Sequence, residues 1–207
     1  MTWMPTVTGL PVDLVHPKAH EVDFAEIAHA LSHINRSAGN SREPVSVGLH
    51  TLIGLDFCPT ASLRAKWLLH DAHEARLGDA TSPFKAALTA VAIELYGPEV
   101  ADQLAVVRHE LEARHDGAIY AAAHLPFPDA LEAQALKHAD LRALATERRD
   151  FYTRGPAPRP WAIDDPALGI RPGPKVWRFL PPIEVEERLL ACFRTHLPAL
   201  QRGRRAS

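Results

Sequence analysis

Thiols are scarce in this chain, which has two cysteines, Cys58 and Cys192, in 207 residues. They stand far apart and form no CxxC or related spacing, which argues against a disulfide framework or a thiolate zinc site and leaves two free thiols expected. Long apolar runs are missing as well. No stretch approaches the roughly 18 apolar residues that a membrane span needs. The opening MTWMPTVTGLPVDL has neither a basic n-region nor an apolar h-region, so a soluble, cytoplasmic protein without membrane contact is expected. Neither sign of charge dominates: 23 Lys and Arg face 25 Asp and Glu, for a formal net charge of −2, which gives no general pull toward nucleic acid or an anionic membrane. Nowhere is there a sustained period-2, β-branched run, and the fold expected is therefore all-α.

What remains is an ordinary globular composition, 46% apolar and 23% charged, with clear helical punctuation. In VDFAEIAHALSHI, the residues Val22, Phe24, Ile27, Ala28, Leu31 and Ile34 follow the i, i+3, i+4, i+7 spacing of an amphipathic helix, with Asp23 and Glu26 in its first turn. NRSAGNSREP reads as a loop, and a second apolar segment, VSVGLHTLIGLDF, carries His50. The stretch from Thr60 or Ser62 to the stop signal at Gly78 predicts one helix with His70, Asp71 and Glu74 on its last turns. SPFKAALTAVAIELYG repeats the pattern, with Ser82 expected as N-cap, Pro83 at the first helical position, Lys85 in the first turn and Gly97 past the end. From Pro98 to about Phe151, two or three more helices are expected, the last holding Lys137 and Asp140 three apart on one face.

Eight of the 18 prolines fall between residues 155 and 182. That density excludes a long helix, while Trp161, Trp177 and Phe179 make the segment too apolar for a free linker, so it is expected to pack back on the helices. IEVEERLLACFRTHL reads as a final helix and QRGRRAS as a frayed basic end. The expected organisation is a helical catalytic domain over residues 1–153, with a Pro-rich segment and C-terminal helix over residues 154–207 packed on the same domain.

The residues that can carry chemistry gather around WLLHDAHEARLGDATSPFK. The apolar Trp67-Leu68-Leu69 leads His70-Asp71 into the core, where an unpaired carboxylate is costly unless a metal or a cation neutralises it. Glu74 lies one helical turn beyond His70 and points the same way. His73 falls off that face and reads as a surface residue. Lys85 opens the next helix, where its ammonium and the free backbone N–H groups favour an anion. Histidine and carboxylate ligands from separate helices suit a borderline or hard divalent ion with positions left for water.

With these elements in order, the chain resembles the HD-domain phosphohydrolases, in particular the small single-domain members that act on nucleotides. The matching elements are DFAEIAHALSHINR, His50 in SVGLH, LLHDAHEARLGDATSPFK and KHADLRALATERRD. The resemblance implies an HD-type helical bundle that holds one divalent ion (Mn, Co, Zn, Ni, Fe or Mg) on His50, His70, Asp71 and Asp140. It implies that Glu74 and Asp79 handle the attacking water and proton transfer. It also implies that Arg36, Lys85 and Lys137 contact phosphate, and that the chain forms a homodimer or a larger homo-oligomer. The loop NRSAGNSREP departs from close relatives, which carry a bulky aromatic after the arginine and a GGH-type loop; that difference bears on the substrate pocket.

The expected activity is hydrolysis of a deoxynucleotide, as a dNTP triphosphohydrolase or a 5′-deoxynucleotidase, by a metal-activated water attacking phosphorus. A catalytically inactive HD fold used as a nucleotide-binding or sensor protein is the alternative, and it should have lost a ligand or an acid/base group. Direct nucleic-acid binding would rest on RGRR alone, a short basic tail that is ordinarily just solvated.

Overall fold

The computed structural model describes residues 2–153, 155, 156 and 159–201. Nine α-helices dominate it, and the fold is all-α. The expected basic end lies, from Arg202 on, outside the described residues. Two strands, β1 (Trp3–Pro5) and β2 (Pro11–Asp13), pair antiparallel with Met4 opposite Val12. At three residues each they are too short to show an alternation in sequence, and a turn with Gly9 at φ 84° joins them.

Helix α1 (Phe24–His33) is capped by Asp23, whose carboxylate accepts from the Ala25 N–H, and it buries Phe24, Ile27, Ala28 and Leu31, the face its spacing predicts. Helix α2 (Val47–Leu55) is buried from Val47 to Gly54 and forms the centre of the molecule, which explains why its sequence is apolar all round. Around it pack α1, α3 (Ala61–Trp67), α7 (Ala130–Phe151) and α8 (Pro182–His196). One core cluster joins α1, the end of α3, the last turns of α6 (Pro98–Ala123) and α8, and the other joins α2, α3 and α7. The last helix is the short α9 (Pro198–Gln201).

Two expected elements differ. The single helix over residues 60–78 is broken: α3 ends at Trp67, and a separate turn of helix, α4 (Glu74–Leu77), follows after a run of turns. His70 causes part of the break. Its Nδ1–H donates to the Trp67 carbonyl (2.6 Å), which a continuing helix would have given to the Asp71 N–H, and backbone bonds tighten to the i−3 pattern from Leu69 to Ala72. The N-cap of α5 (Ser82–Tyr96) is Thr81, whose hydroxyl accepts from the Phe84 N–H (3.3 Å), not Ser82.

The Pro-rich segment lies along α7. The Gly173 N–H donates to Thr146 (2.8 Å), the Trp177 N–H donates to Asp150 (2.9 Å), and Arg149 donates to the carbonyls of Gly173 and Lys175. Trp177 and Ile163 are buried beneath it.

Candidate metal centre

His50 projects from the middle of α2 and is fully buried. Its Nδ1 stands 2.5 Å from Glu147 Oε1, an acceptor, so Nδ1 carries the proton and Nε2 the lone pair. His70 has the same polarity, because its Nδ1 is committed to the Trp67 carbonyl. The two Nε2 atoms then face each other at 3.3 Å, an arrangement that is repulsive unless a proton or a cation lies between them. Asp71 Oδ2 is 3.0 Å from His70 Nε2 and 3.7 Å from His50 Nε2. Asp140 Oδ1, from α7, is 3.5 Å from His50 Nε2. These spacings match the edges of a coordination polyhedron whose ligands sit about 2.0–2.2 Å from one ion. The donor set therefore fits a divalent metal, with His50, His70 and Asp71 as the tight group and Asp140 alongside.

Trp67 sets the orientation of His70. Its ring stacks on the imidazole with centroids 3.8 Å apart, and its indole N–H donates to the Thr51 carbonyl at 2.7 Å. Gly54 makes room for that indole, since a Cβ there would lie 1.9 Å from Trp67 Cζ2.

Behind the ligands lies a carboxylate that is not among the residues the sequence singles out. Glu147 is fully buried and bridges His50 Nδ1 to Arg36 Nε (3.2 Å). Burial opposes its charge, while Arg36 and His50 hold its carboxyl below the usual range. Its one sequence signal is its position seven residues, or two helical turns, beyond Asp140 on the same face of α7. Arg36 also approaches Asp71 through Nη1 (3.6 Å). Its guanidinium is thus tied to two carboxylates, which overcome burial and raise its pKa, and among the described residues neither contact uses Nη2.

Glu74 and Asp79 flank this group. Glu74 Oε2 is buried with no hydrogen-bond partner among the described residues. Burial, with Asp71 and Asp79 nearby, pushes the Glu74 pKa up to about 9, so the carboxyl holds a proton at neutral pH. Asp79 Oδ2 accepts from the backbone N–H of Ser37 (3.2 Å). That amide belongs to a turn in which Ser37, Ala38 and Gly39 all adopt left-handed φ (52°, 51° and 78°). The Ser37 hydroxyl is 2.5 Å from the Tyr152 hydroxyl, which anchors the turn to the end of α7.

The three expected phosphate contacts are placed differently. Arg36 lies inside the carboxylate cluster. Lys85 is half-buried in the first turn of α5, close enough for its charge to act on Glu74, and has no ion-pair partner among the described residues. Lys137 is 68% exposed and bound to Asp140 Oδ2 at 2.7 Å, so it stands on the rim as the partner of a candidate ligand. His73 is not the surface residue its position predicts. Its side chain is 15% exposed, and Nδ1 pairs with Asp116 of α6 at 3.0 Å, fastening the break between α3 and α4 to that helix. A second histidine group, His29, His33 and Glu186, joins α1 to α8 at the surface, away from this centre.

No protein-family model matches the chain. It is similar to an uncharacterized protein of Rhodobacter capsulatus, 28% identical over 195 residues, an alignment covering 84% of this chain and 89% of the relative.

Proposed function

We propose that this protein is a metal-dependent phosphohydrolase of the HD type that acts on deoxynucleotides. The observation that carries the reading is the pair of Nε2 atoms facing each other at 3.3 Å, with both Nδ1 atoms committed as donors and Asp71 Oδ2 beside them. His50, His70, Asp71 and Asp140 would hold the ion. A divalent cation bound there supplies Lewis acidity toward a phosphoryl oxygen and makes water nucleophilic at neutral pH.

The remaining steps belong to the side chains. Lys85, unpaired among the described residues, offers a phosphate its charge, and Arg36 offers Nη2 while its other nitrogens stay on carboxylates. Protonated Glu74 can deliver a proton to a leaving oxygen, while Asp79, held by the Ser37 N–H, accepts one from the attacking water. Glu147 fixes the tautomer of His50 and neutralises Arg36, acting through both rather than on substrate.

A panel of deoxynucleoside mono-, di- and triphosphates with Mn, Co or Mg, with products separated by chromatography, tests this reading. Turnover that requires metal and disappears in Asp71→Ala together with the bound ion is expected. Release of phosphate from monophosphates alone would remove the triphosphatase branch. Stoichiometric metal with no turnover on any phosphoester would leave the alternative, a nucleotide-binding HD fold without activity.

A further inference from the structure

Helices α1 and α8 pack along each other. Phe24, Ile27, Ala28 and Leu31 of one and Val185, Leu189 and Phe193 of the other are buried, and the rings of Phe24 and Phe193 meet edge to face at 5.7 Å. On the outer side of this contact stand His29 and His33, which are four residues apart and so share one face of α1, together with Glu186 from the start of α8. The two imidazole rings lie 4.4 Å apart, and His29 Nδ1 is 2.9 Å from Glu186 Oε2.

His33 is already oriented as a ligand. Its Nδ1 is 2.9 Å from the His29 carbonyl and 2.9 Å from Ser32 Oγ, whose own proton goes to that carbonyl (2.7 Å). Nδ1 is therefore the donor and the lone pair lies on Nε2, the pattern of metal-binding histidines whose other nitrogen donates to a backbone carbonyl. One ring nitrogen of each histidine and one oxygen of Glu186 lie within 4.8 Å of one another, so bonds of about 2.0–2.2 Å to a shared ion require small side-chain rotations only. His33 is exposed, and His29 and Glu186 are partly so, which leaves the remaining coordination positions to water.

We propose that His29, His33 and Glu186 form a second metal site, which takes a borderline divalent transition ion (Zn, Co, Ni or Cu) and fastens α1 to α8. Two imidazoles select against Mg and Ca, which require oxygen ligands, and a histidine pair at i, i+4 on one helix face is the arrangement that zinc-binding helices use. His29 and Glu186 are 157 positions apart in sequence, yet both sit on helices held by one buried contact. An ion there meets a preformed site and cross-links distant parts of the chain. It also steadies the helix from which the turn at Arg36 departs, three residues beyond His33. The site shares no residue with the candidate centre and does not rest on the hydrolase reading.

Equilibrium dialysis of the metal-stripped full chain against zinc, and separately against magnesium, counts the sites. Two equivalents of zinc are expected for the wild type, one for His33→Ala, one for Asp71→Ala and none for the two substitutions combined. The far-ultraviolet spectrum of His33→Ala should be unchanged, since the side chain is exposed. In the Asp71→Ala background, Glu186→Gln keeps an acceptor for His29 but removes the charge, and should weaken the remaining zinc about tenfold or more. Magnesium should leave this site empty. Amide exchange gives a readout that needs no substitution at the site: zinc added to Asp71→Ala should slow exchange over residues 29–34 and 184–190. Zinc uptake unchanged by His33→Ala overturns the proposal, as does a single wild-type equivalent that disappears with Asp71→Ala, which would place an ion at the candidate centre only. A single equivalent that disappears with His33→Ala instead supports this site and counts against the candidate centre alone.

Discussion

Glu147, fully buried, and Glu74, half-buried, are carboxylates held in opposite states. Glu147 has Arg36 and His50 against it and stays ionised, whereas Glu74 faces Asp71 and Asp79 and takes a proton. The charged form of Glu74 is the one the fold disfavours, so its stabilising contribution is intact below the unfolded pKa near 4.5 and is lost as pH rises toward about 9. Glu74→Gln is therefore expected to abolish turnover and to raise Tm at pH 7 by a few °C, the shift of about 1 kcal/mol in a chain of this size. The advantage should vanish near pH 4, which melting curves across that range would reveal. Glu147→Gln should act on the metal instead. Without the ionised acceptor His50 is less firmly held, and affinity should fall about 10- to 100-fold by competition with a chelating dye, as for other partners that orient metal ligands. A loss of turnover with metal affinity unchanged would refute that role.

Helix α2 and the end of α3 fit together because residue 54 has no side chain. Gly54→Ala gains helix propensity, about 1 kcal/mol, but its methyl would occupy the Trp67 ring that stacks on His70. Overpacking costs of ~1–3 kcal/mol or more are usual in such places. A net loss in denaturant stability together with weakened metal binding is expected, and a stable variant with normal metal affinity would contradict the link between Gly54 and the centre. The turn after α1 invites the opposite change. Ala38 sits at φ 51°, a region that costs a non-glycine residue about 1–2 kcal/mol. Its replacement by glycine should stabilise the protein by up to about 1 kcal/mol in urea unfolding, provided the Ser37 N–H keeps Asp79. Strained backbone beside a site of this kind is where binding geometry commonly resides.

The centre draws its groups from α2, the α3–α4 break, α7 and the turn after α1, so an ion bound there ties together much of the molecule. Removing metal from protein loaded at about 100 times its Kd should cost close to 2.7 kcal/mol. At roughly 2–4 °C per kcal/mol for this length, Tm should fall by about 5–10 °C on addition of a chelator, and His70→Ala should melt at the lower value with or without metal. No helix among the described residues is long and apolar enough to cross a membrane.

Helix locations were legible in the chain because their signals are local. Asp23 caps α1, Gly97 at φ 89° closes α5, and proline excludes a long helix from residues 155–182, each within a few residues of its effect. The His70-Asp71 pair stood out for the same reason, through the apolar run before it. The break in α3 did not, because it depends on an imidazole taking a carbonyl that composition assigns to the helix. The β1–β2 hairpin escaped because three-residue strands carry no period. The contacts of Glu147 with His50 and Arg36 and the approach of Asp140 to His50 join residues 90 to 111 positions apart. Such contacts follow from how α2, α7 and the turn at Arg36 pack; in sequence Glu147 looks like any charged side chain on a helix, and Arg36 and Asp140 stand out chiefly through the family resemblance. Only the fold determines which carboxylate is paired, which is protonated and which is free to hold an ion, since burial and neighbouring charge set those states.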